Sequence, residues 1–472
     1  MSSQNLEGWR DGLRPDRMAV ILSPKHPTLT VCAKSATMLS MKTFTTKYQI
    51  LFTVPLITSI AIASLVATAA CAKPVDKQLR AKKMAEKMGL AIPLYDPSGQ
   101  ALDQLHKALE RVKKSKGQAR LVFYGASHTS SDHYTGVIRR GLQKRYGDAG
   151  HGFIVAARPW RYYSHDDIYM NSTNTWRTDR IDKADAVPDG WYGLAGSSVA
   201  SSNPEDYSII GTQKKGSIGR KVDKFELWTL EQPGGGTLQV RIDKGPWREI
   251  STEAPQKRGG YHEFLLRDGP HSMEIRPKGD SEVRLFGVVL ERKKPGVIVD
   301  SLGIPGSRAA YHLDWEDSLY REHLARRKPD FISLAYGTNE AGDDDQPIEE
   351  YEEALRKVMA RIREIAPEAS CLLIGPSDRP LLNEEDGTWQ SRPRTAQVVE
   401  VQRKISVEFG CAFFDTVAFM GGDMSMPSWV NADPPVALKD HIHFTRVGYQ
   451  RMGEVILNLL LPAKAKSPAK KK

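Results

Sequence analysis

Cysteine is scarce in this chain, with four residues (Cys32, Cys71, Cys371 and Cys411) among 472. No two of them have the Cys-x-x-Cys spacing of a metal or redox motif, and so few cysteines exclude a disulfide-based scaffold. Cys371 and Cys411 begin the apolar runs CLLIG and CAFFD, which predicts buried thiols on two strands. A disulfide between them is conceivable if those strands are neighbours.

An excess of positive over negative charge is nearly absent from the body of the chain, although the formal net charge is +10. Residues 1–72 hold seven basic and three acidic side chains, and residues 463–472 hold five lysines, which leaves about +1 elsewhere. Because a nucleic-acid-binding domain concentrates basic residues on one face, we expect no nucleic acid partner. The lysine-rich end (463–472) is typical of a solvated, disordered tail, with adhesion to an anionic polymer or membrane as the alternative.

An export signal is indicated at residues 41–72. From Met41 the chain has two lysines, a long apolar stretch and then small residues, which is the order found in signal peptides. Residues 1–40 do not belong in front of such a signal, so we expect the true start at Met38 or Met41 and regard 1–40 as a spurious extension. The protein is therefore expected to be exported.

Three fates of this signal remain open. TAAC ends at Cys71 and resembles a lipoprotein box, although Thr68 stands where leucine is usual. ACA before Lys73 suits ordinary signal peptidase instead. An uncleaved membrane anchor over residues 51–70 is the third alternative, because this stretch nearly reaches spanning length. The expected location is the periplasm of a bacterial envelope or, through lipidation of Cys71, the outer membrane.

Strands and helices alternate at both ends of the remaining chain. QARLVFYGASH predicts a strand and a turn, and apolar residues at helical spacing predict a helix over 132–146. Beyond residue 295, four apolar strands alternate with helices predicted near 311–326, 347–365, 393–409 and 446–460. Buried strands alternating with amphipathic helices predict an α/β fold, with a parallel sheet flanked by helices.

The middle of the chain, residues 187–293, has a different pattern. Short runs such as KFELWTL, GTLQVRID and HSMEIRPK alternate in period two and are separated by the glycine-rich turns PGGG, DKGP and RDGP. This pattern predicts an antiparallel β-sandwich. We therefore expect an all-β domain inserted between a first part of the α/β domain with its connector (73–186) and a second part (294–462).

Ser127 lies between the end of the first predicted strand and the start of a helix. In parallel α/β sheets, reactive groups are found beyond the carboxyl ends of the strands, and free N–H groups at a helix start favour an anion. These features suit a nucleophile. The alternative is that Ser127 or Thr129 only caps the helix. This stretch by itself does not separate the two interpretations.

A serine nucleophile requires a base that an acid holds in the correct tautomer. Asp440 and His443 lie three residues apart on a loop before the last helix, for which Thr445 is the predicted N-cap. At that spacing the carboxylate reaches one imidazole nitrogen while the other faces Ser127. His441 is the competing base, but its direct adjacency to Asp440 makes the same bridge awkward.

Donors for a developing oxyanion are also present. Gly306 in GIPGSR and Asn339 in YGTNE each follow a predicted strand at the edge of the sheet where Ser127 lies. Together with the backbone N–H of Ser127 they would supply three donors. A turn glycine and a strand-terminating asparagine are the alternative interpretations, and the joint, ordered occurrence of these residues is what favours catalysis.

The ordered blocks YGASH, GIPGS, GTNE and DHIHFT resemble those of the SGNH/GDSL hydrolase family. The resemblance covers residues 119–154 and 296–460 and implies a flavodoxin-like α/β fold. One departure is Ala126, since the family usually has aspartate before the serine. That aspartate is not a triad member in the family, so the resemblance implies that activity survives. The replacement by Ala126 could instead affect how the oxyanion hole is positioned.

An SGNH domain interrupted by an all-β, jelly-roll or carbohydrate-binding-like domain is similar to the peptidoglycan O-acetylesterases of bacterial envelopes. The resemblance implies that Ser127 attacks an acetyl ester of a glycan, that His443 transfers the proton and that Asp440 orients His443. Gly306, Asn339 and the Ser127 amide would then stabilise the tetrahedral intermediate. No metal or other cofactor is implied, and the chain has no HExxH motif.

Aromatic side chains are the candidate substrate contacts, because their faces stack on sugar rings. Trp160, Tyr162 and Tyr163 precede the predicted insertion, and Trp429 precedes the last motif block. Core packing is the common alternative for each of them.

Two other functions remain open from the sequence. A lipase or thioesterase on the same scaffold would need a long apolar cleft, whereas the loops here are polar and aromatic. A non-catalytic glycan-binding protein is suggested by Ala126, but retention of Ser127, Asn339, Asp440 and His443 together argues against it.

Overall fold

The structure of the chain is a computed structural model that describes residues 94–462. Its strands, numbered in chain order, are β1 (Gln118–Gly125), β2 (Gly150–Ile154), β3 (Ile168–Ser172), β4 (Arg177–Asp179), β5 (Ser198–Ser201), β6 (Ser208–Thr212), β7 (Val222–Glu231), β8 (Thr237–Ile242), β9 (Arg248–Ser251), β10 (Arg258–Gly269), β11 (Ser272–Pro277), β12 (Val283–Glu291), β13 (Gly296–Gly303), β14 (Phe331–Ala335), β15 (Ser370–Ile374), β16 (Leu381–Leu382), β17 (Trp389–Gln390) and β18 (Ala412–Phe414).

The α-helices, also numbered in chain order, are α1 (Asp103–Lys113), α2 (Ser127–Ser130), α3 (His133–Tyr146), α4 (Asp317–Arg327), α5 (Ile348–Ile365), α6 (Pro393–Glu408), α7 (Thr416–Met420), α8 (Ser425–Val430) and α9 (Arg446–Leu460). Two 3₁₀ turns cover Ala309–Asp314 and Glu340–Gly342.

Five parallel strands form the central sheet in the order β13-β1-β14-β15-β18. Alternate residues of β1 point to opposite faces, so Leu121 packs in one hydrophobic core and Val122 in the other. Helices α1, α3 and α9 contribute buried residues to the first core, and α4, α5 and α6 contribute to the second. The prediction of a parallel sheet flanked by helices is therefore confirmed.

Two antiparallel sheets form the all-β part of the chain. One has the order β10-β7-β12-β5-β4, with β2 also paired to β12, and the other has the order β3-β6-β11-β8-β9. Buried residues of both sheets, such as Leu227 and Ile275, belong to the same hydrophobic core. The expected all-β architecture is present between the first helix after β1 and strand β13 of the parallel sheet.

The antiparallel sheets begin earlier than the predicted boundary at residue 187. Strands β2, β3 and β4 already pair within them, and β2 is hydrogen-bonded to β12. The sequence between residues 150 and 180 has no regular alternation, so these strands depend on their partners rather than on a local pattern. The division of the chain into a hydrolase domain and an inserted domain remains a proposal.

Ion pairs fasten helix α4 to the strands on either side of it. The guanidinium of Arg327 donates to Asp300 of β13 at 2.7 Å and to Glu291 of β12 at 2.7 Å, and all three side chains are buried. On the same helix, the ring of His323 lies 4.6 Å from that of Trp228 in β7. The parallel and antiparallel sheets are thus joined through one helix.

Several helices lie where the sequence predicts them, and two local features differ. Helices α3, α5, α6 and α9 coincide closely with the predicted ranges, and Thr445 caps α9 by accepting from Gly448 N. The helix predicted near 311–326 is instead a 3₁₀ turn followed by α4, because Glu316 caps α4 at Leu319 N and begins it there. The helix α1 was not predicted.

Cys371 of β15 and Cys411, which directly precedes β18, form a disulfide. The two strands are neighbours in the parallel sheet, which is the condition under which the sequence allowed this bond. Among the described residues, no helix combines the length and apolar character needed to cross a membrane. The N-terminal extension (1–40), the export signal (41–72) with Cys71, and the lysine-rich tail (463–472) lie outside residues 94–462.

Candidate active site

Ser127 is the first residue of helix α2, directly beyond the carboxyl end of β1, which lies between β13 and β14 in the parallel sheet. Gly125 makes the turn: a Cβ at this position would lie 2.2 Å from Thr129 Oγ1 and 2.9 Å from the carbonyl oxygen of Ala335, so only glycine fits. The carbonyl of Ala126 accepts hydrogen bonds from the amides of Thr129 and Ser130. This tight turn presents the Ser127 hydroxyl at the edge of the sheet.

His443 contacts both Ser127 and Asp440. Its Nε2 lies 2.7 Å from Ser127 Oγ, and its Nδ1 lies 2.8 Å from Asp440 Oδ2. The carboxylate is an acceptor, so Nδ1 is assigned the proton, and Nε2 is left as an acceptor for the serine hydroxyl. The three side chains form a continuous hydrogen-bonded chain of the kind that activates a serine.

Backbone hydrogen bonds hold Asp440 in its ionised form. Its Oδ1 accepts from the amides of Ile442 and His443, each at 3.0 Å. Burial alone would raise the pKa of Asp440, but the hydrogen bonds from His443 and Ile442 outweigh it and lower the pKa below its ordinary value. The carboxylate therefore stays charged and can stabilise a protonated imidazole.

His441 does not take part in this chain of hydrogen bonds. Its backbone has a positive φ of 54°, and its Nδ1 lies 3.0 Å from the carbonyl oxygen of Lys439. The ring stacks on Trp389 of β17, with ring centroids 3.8 Å apart and planes 26° from parallel. Trp389 is therefore next to the Asp440–His443 loop, a neighbour that the sequence did not indicate.

Gly306 and Asn339 lie on the loops that follow β13 and β14, the two strands that flank β1. Asn339 Nδ2 donates to the carbonyl of Ser307 at 2.8 Å and so ties the two loops together. An amide side chain has two N–H groups, so one remains for a further acceptor. Within residues 94–462 the backbone amides of Ser127 and Gly306 have no hydrogen-bond partner.

Glu340 and Arg379 position these two loops, and sequence reasoning gave neither a role. Buried Glu340 accepts from Ala309 N at 2.8 Å through one oxygen and from Gly337 N at 2.9 Å through the other. Burial raises the pKa of Glu340, and these backbone hydrogen bonds offset part of the increase. Arg379 donates to the carbonyls of Thr338 and Asn339. Glu340 is the final residue of the GTNE block, so its place in that motif was the sequence feature that could have indicated its role.

A buried histidine, His128, packs beside His443. His128 Nδ1 lies 2.9 Å from the hydroxyl of Tyr449, and its ring centroid lies 5.4 Å from that of His443. Burial, together with the neighbouring His443, lowers the pKa of His128 to about 3. An imidazole that remains neutral at this position places no competing positive charge beside His443.

Two of the four predicted substrate contacts are wrong. Trp429 is fully buried, and its Nε1 donates to the carbonyl of Met420 at 2.9 Å. Tyr163 is also buried, and its hydroxyl accepts from Val155 N at 3.0 Å. Both aromatic side chains belong to the hydrophobic cores, so neither can face a ligand.

Trp160 and Tyr162 remain accessible. Tyr162 is 77% exposed, and the guanidinium of Arg161 lies 5.4 Å from its ring centroid. Trp160 is half-buried, lines a cavity and lies 5.5 Å from the guanidinium of Arg180. Contact of either side chain with a glycan remains a proposal.

Asp132, His151 and His165 are the one group among the described residues whose ligand atoms are close enough to share a metal ion. The guanidinium of Arg139 donates to both carboxylate oxygens of Asp132, and both side chains are fully buried. His151 Nε2 lies 3.0 Å from His165 Nδ1. Because the arginine already neutralises the carboxylate, this cluster suits a buried ion pair better than a cation site.

Comparisons with known proteins relate part of this chain to one family and its fold to solved structures. Residues 272–451, which include Gly306, Asn339, Asp440 and His443 but not Ser127, match the model of the GDSL-like Lipase/Acylhydrolase family. No curated protein matches the chain. A solved peptidoglycan O-acetylesterase aligns with a TM-score of 0.63 and 23% sequence identity over 77% of this chain and 97% of that chain, which shows a shared fold.

Two further solved structures are similar over a smaller part. A family two carbohydrate esterase from Cellvibrio japonicus aligns with a TM-score of 0.26 and 11% identity, covering 65% of this chain and 96% of that chain. An acetyl xylan esterase aligns with a TM-score of 0.27 and 13% identity, covering 34% of this chain and 79% of that chain.

Proposed function

We propose that this chain, whose residues 272–451 match the GDSL-like Lipase/Acylhydrolase family, is an exported serine esterase that removes O-acetyl groups from peptidoglycan. The observation that carries the proposal is the continuous chain of hydrogen bonds from Ser127 through His443 to Asp440. These three hydrogen-bonded side chains lie at the carboxyl edge of the parallel sheet, where such folds place their reactive groups.

In the proposed reaction Ser127 Oγ attacks the carbonyl carbon of an acetyl ester, and its proton passes to His443 Nε2. The tetrahedral intermediate collapses when His443 returns the proton to the sugar oxygen, which leaves as an alcohol. A water molecule then gives a proton to His443 and attacks the acetyl-serine. Release of acetate returns the proton to Ser127, and Asp440 stabilises the imidazolium in both halves of the reaction.

The oxyanion would be stabilised by the backbone amides of Ser127 and Gly306 and by Asn339. Both backbone N–H groups lack an internal partner within residues 94–462, and Asn339 retains one free N–H. Ala126, which replaces the family's usual aspartate, still forms the turn: its carbonyl accepts two amides, and its own N–H donates to Ala335 O. The departure therefore leaves Ser127 within hydrogen-bonding distance of His443.

The solvent exposure of the triad is compatible with a polymeric glycan as substrate. The side chains of His443 and Asp440 are 31% and 44% exposed, so the triad opens to the surface rather than to a closed apolar cavity. A long acyl chain would need such an apolar cavity, whereas an acetyl group on a large polymer needs access from outside. This argument favours a glycan ester over a lipid ester.

Export is supported by the signal-like segment at residues 41–72 and by the Cys371–Cys411 disulfide. Disulfides persist in oxidising compartments such as the bacterial periplasm. We propose the periplasm as the site of action, with membrane attachment through a lipidated Cys71 as the alternative to a cleaved chain.

The proposal is tested by measuring acetate released from O-acetylated peptidoglycan by the wild-type chain and by Ser127→Ala. We expect release by the wild type, none by Ser127→Ala, and unchanged release by Ser202→Ala, which removes an exposed serine hydroxyl elsewhere. Aryl acetates and long-chain glycerol esters serve as parallel substrates. Hydrolysis of the aryl acetate without release from peptidoglycan would contradict the substrate, and preference for the long-chain ester would indicate a lipase.

A further inference from the structure

A cavity of about 530 Å³ lies where the segment after β2 meets the connection between β3 and β4, strand β4 and the segment that follows β4. Its wall contains two tryptophans, Trp160 and Trp176, and three basic side chains, Arg158, Arg161 and Lys183. No acidic side chain lines it. The cavity therefore combines flat aromatic faces with positive charge, which is a combination that suits a negatively charged sugar.

Two of the three basic side chains of this cavity, Arg158 and Arg161, are not neutralised by neighbouring carboxylates in the described part of the chain. Lys183 pairs with Asp185, but neither Arg158 nor Arg161 has an ion pair among residues 94–462. Both arginines are exposed. Most of the other arginines within residues 94–462 are paired with aspartate or glutamate, so two unpaired guanidinium groups in one cavity are available to an external anion.

The aromatic part of the cavity is held rigidly. Trp160 has the guanidinium of Arg180 over one ring at 5.5 Å and meets Tyr163 edge-on at 5.3 Å. Trp176 is buried, and its Nε1 donates to the carbonyl of Tyr207 at 3.2 Å. Rings held in this way lose little conformational entropy when a ligand binds.

The cavity is connected directly to the candidate oxyanion loop. Arg180, which stacks on Trp160, donates to the carbonyl of Pro305 at 3.1 Å, and Pro305 precedes Gly306. Asp182 pairs with Arg180 at 2.9 Å, and its Oδ2 lies 3.7 Å from where a Cβ of Gly306 would be. Lys183 follows Asp182 and lines the cavity. Segment 180–183 thus separates the cavity from Gly306 by little more than one side chain.

We infer that this cavity is a binding subsite for a carboxylate-bearing sugar of the glycan chain whose ester is cleaved at Ser127. The inference rests on the proposed function and extends it from the ester to the polymer. Arg158 and Arg161 hold the carboxylate, and Trp160 contacts the face of the sugar ring. A guanidinium pairs with a carboxylate through two parallel hydrogen bonds, so the subsite selects acidic over neutral glycans.

Binding of soluble, de-O-acetylated peptidoglycan fragments whose stem peptides have been removed, so that only the sugars carry carboxylates, tests the subsite on the full chain without any turnover. Calorimetry compares native fragments with fragments whose carboxyl groups have been amidated. We expect amidation to raise the Kd about tenfold, and the double substitution Arg158→Ala/Arg161→Ala to raise the Kd for native fragments by a similar factor. The double substitution Arg158→Lys/Arg161→Lys should recover part of the affinity, because it keeps the positive charge.

A matched control is Arg267→Ala, which removes an exposed arginine of β10 that also has no ion pair within residues 94–462. This variant should bind native fragments as the wild type does. Equal affinity of the wild type for native and amidated fragments would overturn the subsite, whatever the enzyme hydrolyses. Carboxylate-dependent binding without release of acetate would instead contradict the proposed function and leave the subsite intact.

Discussion

His443 Nε2 lies 2.7 Å from Ser127 Oγ, although the two residues are 316 positions apart in the chain. Strand β1 places the serine at the carboxyl edge of the parallel sheet, and the loop before helix α9 places the histidine beside it. All of the antiparallel strands lie between them in sequence. The contact therefore forms only when the two segments of the α/β part, which the antiparallel strands separate in sequence, pack together. The predictions below test residues that maintain this arrangement.

Removing the charge of Asp440 should inactivate the enzyme while leaving it folded. In Asp440→Asn, the side chain no longer stabilises the imidazolium and can favour the wrong tautomer of His443. We expect kcat for an aryl acetate to fall by about 10³- to 10⁴-fold, the scale of the equivalent change in other serine triads. Asp345→Asn, in an exposed loop, is the control and should retain full activity. A decrease of less than tenfold for Asp440→Asn would remove Asp440 from the triad.

Asn339→Ala should lower kcat more than it changes KM. The substitution removes a donor to the oxyanion, which is absent from the bound substrate and develops in the transition state, and typical losses are about 10²- to 10³-fold. Steady-state kinetics with an aryl acetate separates the two constants. If KM rises while kcat stays the same, Asn339 binds the ground state and is not an oxyanion donor.

Glu340→Gln should destabilise the protein and also reduce kcat. Each carboxylate oxygen accepts a buried backbone N–H, from Gly337 and Ala309, and an amide can accept only one of them. Leaving one buried N–H unpaired costs about 1–3 kcal/mol in the free energy of unfolding, which denaturant titration measures. Glu349→Gln, at an exposed helix position, is the control and should change neither quantity. Unaltered stability of Glu340→Gln would contradict the link between the loops.

Stability should decrease as the pH falls from about 6.5 towards 4. Burial lowers the pKa of His165 to about 4 and of His128, His312 and His323 to about 3, and it lowers the pKa of His151 well below its usual value. In this window the unfolded chain binds protons that the folded chain does not, so each histidine removes up to about 1.4 kcal/mol per pH unit. Urea titrations at several pH values measure the slope.

His323 allows this explanation to be tested at one position. Both ring nitrogens are buried without a hydrogen-bond partner among the described residues, and the ring packs against Trp228, Tyr261 and Phe286. His323→Phe should therefore reduce by one the number of protons taken up on unfolding between pH 6.5 and 4. The free energy of unfolding at pH 7 should stay the same or rise. An unchanged slope would mean that His323 is protonated in the folded protein.

The Cys371–Cys411 disulfide should stabilise the protein by about 4 kcal/mol, because it closes a loop over a sequence separation of 40 residues. Thermal unfolding with and without a reducing agent measures this contribution. The double variant Cys371→Ala/Cys411→Ala should unfold at the same temperature in both conditions. Equal stability of the oxidised and reduced wild-type protein would contradict the prediction.

The parallel sheet and the triad could be predicted from the sequence because both have local signatures. Strands buried on both faces read as apolar runs, and α9 begins at the N-cap Thr445 that the sequence indicates. The spacing of Asp440 and His443 by itself allows the carboxylate to reach the imidazole. The proposed role of Ser127 as the nucleophile depends on the fold bringing this loop to it.

The aromatic contacts could not be predicted, because the fate of a loop aromatic depends on distant partners. Trp429 is buried by α7 and the last motif block, and Tyr163 is buried by the segment after β2. Trp389 meets His441 only because two very short strands, β16 and β17, form a hairpin. None of these contacts follows from a period or a spacing in the chain.

The most direct test of the account is to label the full chain with a fluorophosphonate, which reacts with activated serines, and to map the modified peptide by mass spectrometry. We predict one phosphonyl group, on Ser127, with hydrolysis of an aryl acetate lost in proportion to labelling and with no labelling of His443→Ala. Labelling at another residue, or hydrolysis that continues when Ser127 is fully modified, would contradict the assignment of Ser127 as the nucleophile.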